Sequence, residues 1–146
     1  MSRTRSTAGA HPAGARPLRV LVADADPAFA EEMGTVLARD PLLEVVAVAK
    51  SAREAAEMIE RFALDVALIG EFAGTEIGEL EQSIRRIRRV AIILLVRPDQ
   101  EESRARADIQ AAAFLRRESS AEQTLKGFLE VAAFAVAAQA SRDADA

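Results

Sequence analysis

The sequence predicts a three-layer α/β sandwich of the (βα)5 kind, in which a central five-stranded parallel sheet lies between two layers of helices. Three observations lead there. Short apolar runs rich in Val and Ile alternate with longer stretches of helical spacing, the pattern of β/α units on a parallel sheet. The runs number five, at Arg19–Ala23, Glu44–Ala49, Asp65–Ile69, Ala91–Val96 and Ala112–Leu115, which suits one small doubly wound sheet. They are also nearly continuous in apolar character, as strands covered on both faces are.

Taken in order, residues 1–16 are Ser, Thr, Ala, Gly, Pro and Arg without periodicity, and are expected to form a disordered basic tail. The first helix opens at Asp26-Pro27, an N-cap followed by proline at the first helical position, and presents Phe29, Met33, Val36 and Leu37 on one face. Ser51-x-x-Glu54 is a capping box for a second helix with Ala55, Met58, Ile59 and Phe62 inward. Ile77, Leu80, Ile84 and Ile87 form the stripe of a third. Glu101–Gln110, with only Ala105, Ala107 and Ile109 for apolar contact, reads as a loosely held fourth. Ser119-x-x-Glu122 opens the last helix, expected to end near Ala140. The ordered domain is therefore 17–140, and 141–146 is assigned to a second disordered tail.

Composition narrows function by exclusion. The chain has 146 residues, 50% hydrophobic and 29% charged, with a formal net charge of −4, so it carries no overall basic footprint for nucleic acid. Cysteine is absent, and the single histidine, His11, stands in the tail, leaving no material for a thiolate site or a histidine triad. No bound cofactor is expected. The longest apolar stretch, Gly127–Ala138, is too short to span a bilayer and is interrupted by Glu130. The basic start at Met1–Arg16 is followed by no apolar segment of secretory length, which points to the cytoplasm. Prolines and glycines at Gly9, Pro12, Gly14 and Pro17 break any amphipathic helix around Arg3, Arg5 and Arg16.

The run Leu18-Arg-Val-Leu-Val-Ala-Asp24-Ala-Asp26-Pro27-Ala-Phe29 resembles the start of a bacterial response-regulator receiver domain, particularly those that precede LuxR-type DNA-binding domains. Leu42–Ala49, Leu64–Gly70 and Ala113–Arg117 fall where that CheY-like family has its second, third and fifth strands, so the resemblance covers roughly residues 18–138. It implies a flavodoxin-like fold and a role in two-component signalling.

The resemblance also implies a site, and this sequence departs from it. In the family, acidic residues ending the first strand hold magnesium, and an aspartate ending the third takes the phosphoryl group. A Thr or Ser ends the fourth strand and a Lys the fifth. In-line phosphoryl transfer needs that nucleophile, that cation and those donors. Here Asp24 matches the first acidic position, but Ala25 stands at the second, Gly70 at the acceptor, Leu95 at the hydroxyl and Arg117 at the lysine. Asp26 follows as helix cap. The expectation is a pseudo-receiver with a degenerate pocket, no metal and no enzymatic activity. Glu71 could serve as acceptor only through a one-residue slip that would turn the whole buried strand inside out. Asp24 is expected as a solvated remnant, with Arg117 pairing to it across the vacated pocket.

Phe114 matches the family's aromatic switch position, but Leu95 has no hydroxyl to couple it to. Arg85, Arg86, Arg88 and Arg89 read as a solvated helix end favoured by the macrodipole. On the last helix, Leu125, Phe128, Leu129, Ala132 and Val136 are expected to cover the sheet. Gly127, Val131, Phe134 and Ala138 form a second apolar stripe, read as an interaction face. The function expected is a phosphorylation-independent interaction module acting through the fourth helix, fifth strand and fifth helix. Its partner would be a second copy, another regulator or a kinase, with a homodimer favoured. The alternatives are a modulator in trans of a DNA-binding regulator, and a residual magnesium-dependent phosphoacceptor.

Overall fold

The computed structural model describes residues 16–70, 77–87, 89–96, 111–118 and 120–145. Its elements run β1 (Leu18–Ala23), α1 (Pro27–Ala38), β2 (Leu43–Ala49), α2 (Ala52–Arg61), β3 (Val66–Ile69), α3 (Ile77–Ile87), β4 (Ala91–Val96), β5 (Ala113–Arg116) and a C-terminal helix, Ala121–Asp145. The five strands form one sheet in the order β2-β1-β3-β4-β5, with every neighbouring pair parallel. All five expected strands are present to within a residue or so at each end. The segment Glu101–Gln110, read as a fourth helix, lies outside the described residues.

Side-chain alternation sends each strand into two cores. Val20, Val22, Val66, Leu68, Ile93, Leu95 and Leu115 pack with α1 and the C-terminal helix. Leu21, Ala23, Ala67, Ile69, Ile92 and Leu94 pack on the other face with α2 and α3. The helix starts follow from local chemistry. Asp26 accepts from the backbone N–H groups of Ala28 and Phe29 ahead of Pro27, and Ser51 accepts from that of Glu54. Glu54 reaches back to the N–H of Lys50, one residue earlier than a standard capping box requires. Between α2 and α3, Glu60 accepts from both Ser83 and Arg86.

The C-terminal helix corrects the sequence reading in two ways. It continues to Asp145, past the expected stop near Ala140, because an alanine-rich segment without proline has nothing to end it. Ser120 is its hydroxyl cap, accepting from the N–H of Gln123, while Ser119 lies outside the described residues. Its buried face is also rotated from the expected one. Ala121, Thr124, Phe128, Ala132 and Ala135 are buried, whereas Leu129 is 41% exposed. Leu125 and Val136 are half-buried at the margin. Gly127, placed in the outer stripe by sequence, faces β5 instead: a Cβ there would come within 2.7 Å of Leu115 Cδ1. Small residues bring this helix close to the sheet, and the Phe128 ring fills the space between them.

This rotation makes a stability prediction. Phe128→Ala should cost about 3–5 kcal/mol in denaturant unfolding, while Leu129→Ala should stay within about 0.5 kcal/mol of wild type, as exposed sites do. Equal losses at both positions would restore the original assignment of the helix face.

Candidate functional site at the carboxyl edge of the sheet

Parallel pairing brings the ends of all the strands to one edge, so residues far apart in sequence meet there. Ala23 registers beside Ile69, and Ile69 beside Leu94. One step further along, Asp24, Gly70 and Leu95 therefore stand at a common level. The N–H of Gly70 donates to Ala23 at 2.6 Å, that of Asp24 to Ala49 at 3.1 Å, and that of Arg117 to Val96 at 2.9 Å. β3 keeps the unslipped register with all four residues buried, and Glu71 itself lies outside the described residues.

Asp24 is not the solvated remnant expected; it is 1% exposed. Its Oδ1 accepts from the N–H of Asp26 at 2.8 Å. Its Oδ2 overlies Gly70 so closely that a Cβ at position 70 would fall 1.8 Å from it. Gly70 has no left-handed φ, so what the glycine supplies here is space and not an unusual backbone angle.

Arg117 also departs from expectation. It pairs with Asp26 Oδ2 at 3.2 Å, not with Asp24, and its guanidinium lies 3.8 Å from the centre of the Phe29 ring. The planar guanidinium can stack and donate at once, which an ammonium cannot. One side chain just beyond β5 thus holds both the cap and the first turn of α1. The Asp26 carboxyl is held below the ordinary aspartate range, first by the Phe29 N–H and then by Arg117. Phe29 was legible as core, but its service as a platform for Arg117 was not.

These residues do not fit a magnesium site. Ala25 offers no ligand, the Asp26 carboxylate is engaged by the helix cap and Arg117, and Asp24 Oδ1 is turned to a backbone N–H. Magnesium requires several oxygens in near-octahedral array. Among the described residues no group of three or more His, Cys, Asp or Glu is placed to hold a metal ion.

Leu95 is buried beside Leu115, whereas Phe114 on β5 is 49% exposed and alternates to the opposite face of the sheet. On the C-terminal helix Val131 and Ala138 are half-buried and Phe134 is 66% exposed, so Phe134 alone of that quartet projects freely. The basic end of α3 is largely engaged by its neighbours: Arg85 pairs with Glu81, and Arg86 with Glu60. Arg88 lies outside the described residues. Among the described residues no helix is long and apolar enough to cross a membrane.

Searches against protein-family models and against curated proteins find no match. Solved structures do match. The signal receiver domain of Mycobacterium tuberculosis NarL superposes with a TM-score of 0.64 at 24% identity, covering 82% of this chain and 98% of that one. The response regulator domain of Thermotoga maritima CheB gives 0.67 at 21%, covering 83% and 97%. The fold is that of a response-regulator receiver domain. The same fold recurs in a structure described as adenylate cyclase from Rhodopirellula baltica, with a TM-score of 0.65 at 18% identity over 87% of this chain and 95% of that one. At such identities the shared property is the receiver fold, and chemistry has to be argued from the site.

The Arg117–Asp26 pair predicts an acid dependence. A carboxyl depressed in the folded state contributes stability that is present above its unfolded pKa, about 3.9, and lost as pH falls through the folded value. Arg117→Met should therefore raise the Asp26 midpoint toward the ordinary value without reaching it, because the N–H groups of Phe29 and Ala28 remain. Carbon-detected NMR titration of the side-chain carboxyl reads this directly, and an unmoved midpoint would count against the pair.

Proposed function

We propose that this chain is a pseudo-receiver: a signalling module of receiver fold that works by protein contact and independently of phosphorylation. The observation that carries the proposal is Gly70 at the end of β3, with the Asp24 carboxylate packed over it, at the place where receivers carry their acceptor aspartate. Ala25, Leu95 and Arg117 support it, since the second acidic ligand, the hydroxyl and the compact ammonium are missing as well. No enzymatic turnover is assigned to the site.

The contact surface we assign is the side of the domain formed by β5 and the C-terminal helix, together with the segment expected as a fourth helix. Phe134, largely exposed on an otherwise alanine-rich helix, is its anchor, flanked by Val131 and Ala138. Gly127 drops out of this surface, because it faces Leu115. A second copy is the first partner to test, ahead of another regulator or a kinase, and the setting is the cytoplasm. Burying one Phe contributes roughly 1.5–3 kcal/mol, counted twice in a symmetric pair.

Two outcomes follow. Acetyl phosphate with magnesium should add no phosphoryl mass to the intact protein, and beryllofluoride should shift no amide resonance around Asp24 and Gly70. An acid-labile adduct would overturn the proposal. Phe134→Asp should leave the far-ultraviolet spectrum unchanged, and melting unchanged at concentrations where the wild type is monomeric, while weakening self-association about tenfold or more in sedimentation, the equivalent of about 1.4 kcal/mol. Wild-type protein that stays monomeric at every concentration would remove the dimer from the proposal.

A further inference from the structure

The fit between Asp24 and Gly70 carries more than the loss of an acceptor. We infer that the two residues are an interlocked pair, in which the Asp24 carboxylate occupies the volume a side chain at position 70 would need, so that the carboxyl edge of the sheet is held shut in one arrangement. The inference rests on the pseudo-receiver reading for its significance, though not for its geometry.

Three atoms of Asp24 crowd the place of a Cβ at position 70: Oδ2 at 1.8 Å, Cγ at 2.5 Å and Cβ at 3.0 Å. Swinging the carboxylate about its χ1 bond relieves the first two contacts. It leaves the third, because the Asp24 Cβ is fixed to the backbone. β1 and β3 would then have to part slightly at their ends, where the Gly70 N–H already draws them together at 2.6 Å. The carboxylate is also restrained. Leaving its place means giving up the 2.8 Å bond from the Asp26 N–H, and at 1% exposure it has no adjacent solvent to enter without rearrangement. Asp26 in turn is gripped by Arg117, whose guanidinium rests on Phe29. The interlock therefore joins β1, β3, the start of α1 and the end of β5.

Two consequences follow for the edge of the sheet. Reinstating an acceptor needs more than Gly70→Asp, because the new side chain would be rooted where Asp24 now lies. A partner that binds near this edge meets a fixed surface, with no phosphoryl-dependent alternative.

A double-mutant cycle tests the interlock in the full chain, with melting followed by far-ultraviolet circular dichroism because the sequence has no Trp or Tyr to report by fluorescence. Gly70→Ala should lower the melting temperature of the wild type by about 4 °C or more, since the backbone accepts alanine and only the space does not. In an Asp24→Ala background, which removes the Oδ2 and Cγ contacts and keeps only that of Cβ, the same change should cost less than half as much. Asp24→Ser runs in parallel as a second small background, because its hydroxyl can still accept from the Asp26 N–H. Asp24→Asn keeps the shape without the charge, and Gly70→Ala should cost as much there as in the wild type. If Gly70→Ala does not fold alone, recovery of a folded protein with Asp24→Ala supports the interlock and failure to recover overturns it. Equal cost in all backgrounds, no cost in any, or relief by Asp24→Asn would each overturn it. An additive cycle sinks the interlock and leaves the pseudo-receiver reading standing, whereas phosphorylation of the wild type does the reverse.

Discussion

Burial of β1 on both faces constrains everything else in this molecule. Val20, Leu21, Val22 and Ala23 are fully covered, with β2 on one side and β3 on the other. A strand so placed can tolerate polar side chains only at its ends, and the first one it meets is Asp24. The direction of the chain carries that carboxylate into the cleft between β1 and β3, where the sheet order reverses. In open parallel sheets that crevice is where ligands are ordinarily received. Here the crevice is occupied by the protein's own side chain, and the room for it comes from the absence of a side chain at position 70.

Much of this was legible in the sequence, and the reason is physical. Strands buried on both faces must be apolar throughout, so runs such as Ala91–Val96 announce themselves, and the caps at Asp26 and Ser51 are read from residue types that have few other uses before an apolar periodic stretch. The departures at Ala25, Gly70, Leu95 and Arg117 were equally visible, since they concern identity at a known place in a pattern. What the pattern could not supply was direction. Asp24 and Asp26 are two carboxylates separated by one residue, and which of them meets Arg117 depends on how the chain turns into α1. The turn sends Asp26 outward to the guanidinium and Asp24 inward over Gly70.

The C-terminal helix failed to announce its inner face for a different reason. Leu125, Phe128, Leu129 and Val131 point around much of the helix, and from Ala132 to Ala140 alanine fills most positions, so periodicity loses its contrast. Packing then follows shape: the helix settles where Gly127 admits Leu115 and where Phe128 is fully buried, leaving Leu129 partly in water. The arginines at the end of α3 show a third case. Arg85 pairs with Glu81 on its own helix and Arg86 with Glu60 on α2, a partner that spacing along α3 could not show.

At the opposite edge of the sheet, Arg16 grips Asp65 with both terminal nitrogens, at 2.6 and 2.9 Å, while the N–H of Arg19 donates to the same carboxylate. The chain therefore enters the fold across the amino-terminal edge, a full strand length, roughly 20 Å for six residues at 3.3 Å each, from Asp24 and Gly70. A domain fused directly to Arg16 would start from the far side of the sheet from the edge that bears Asp24, Arg117 and Phe29.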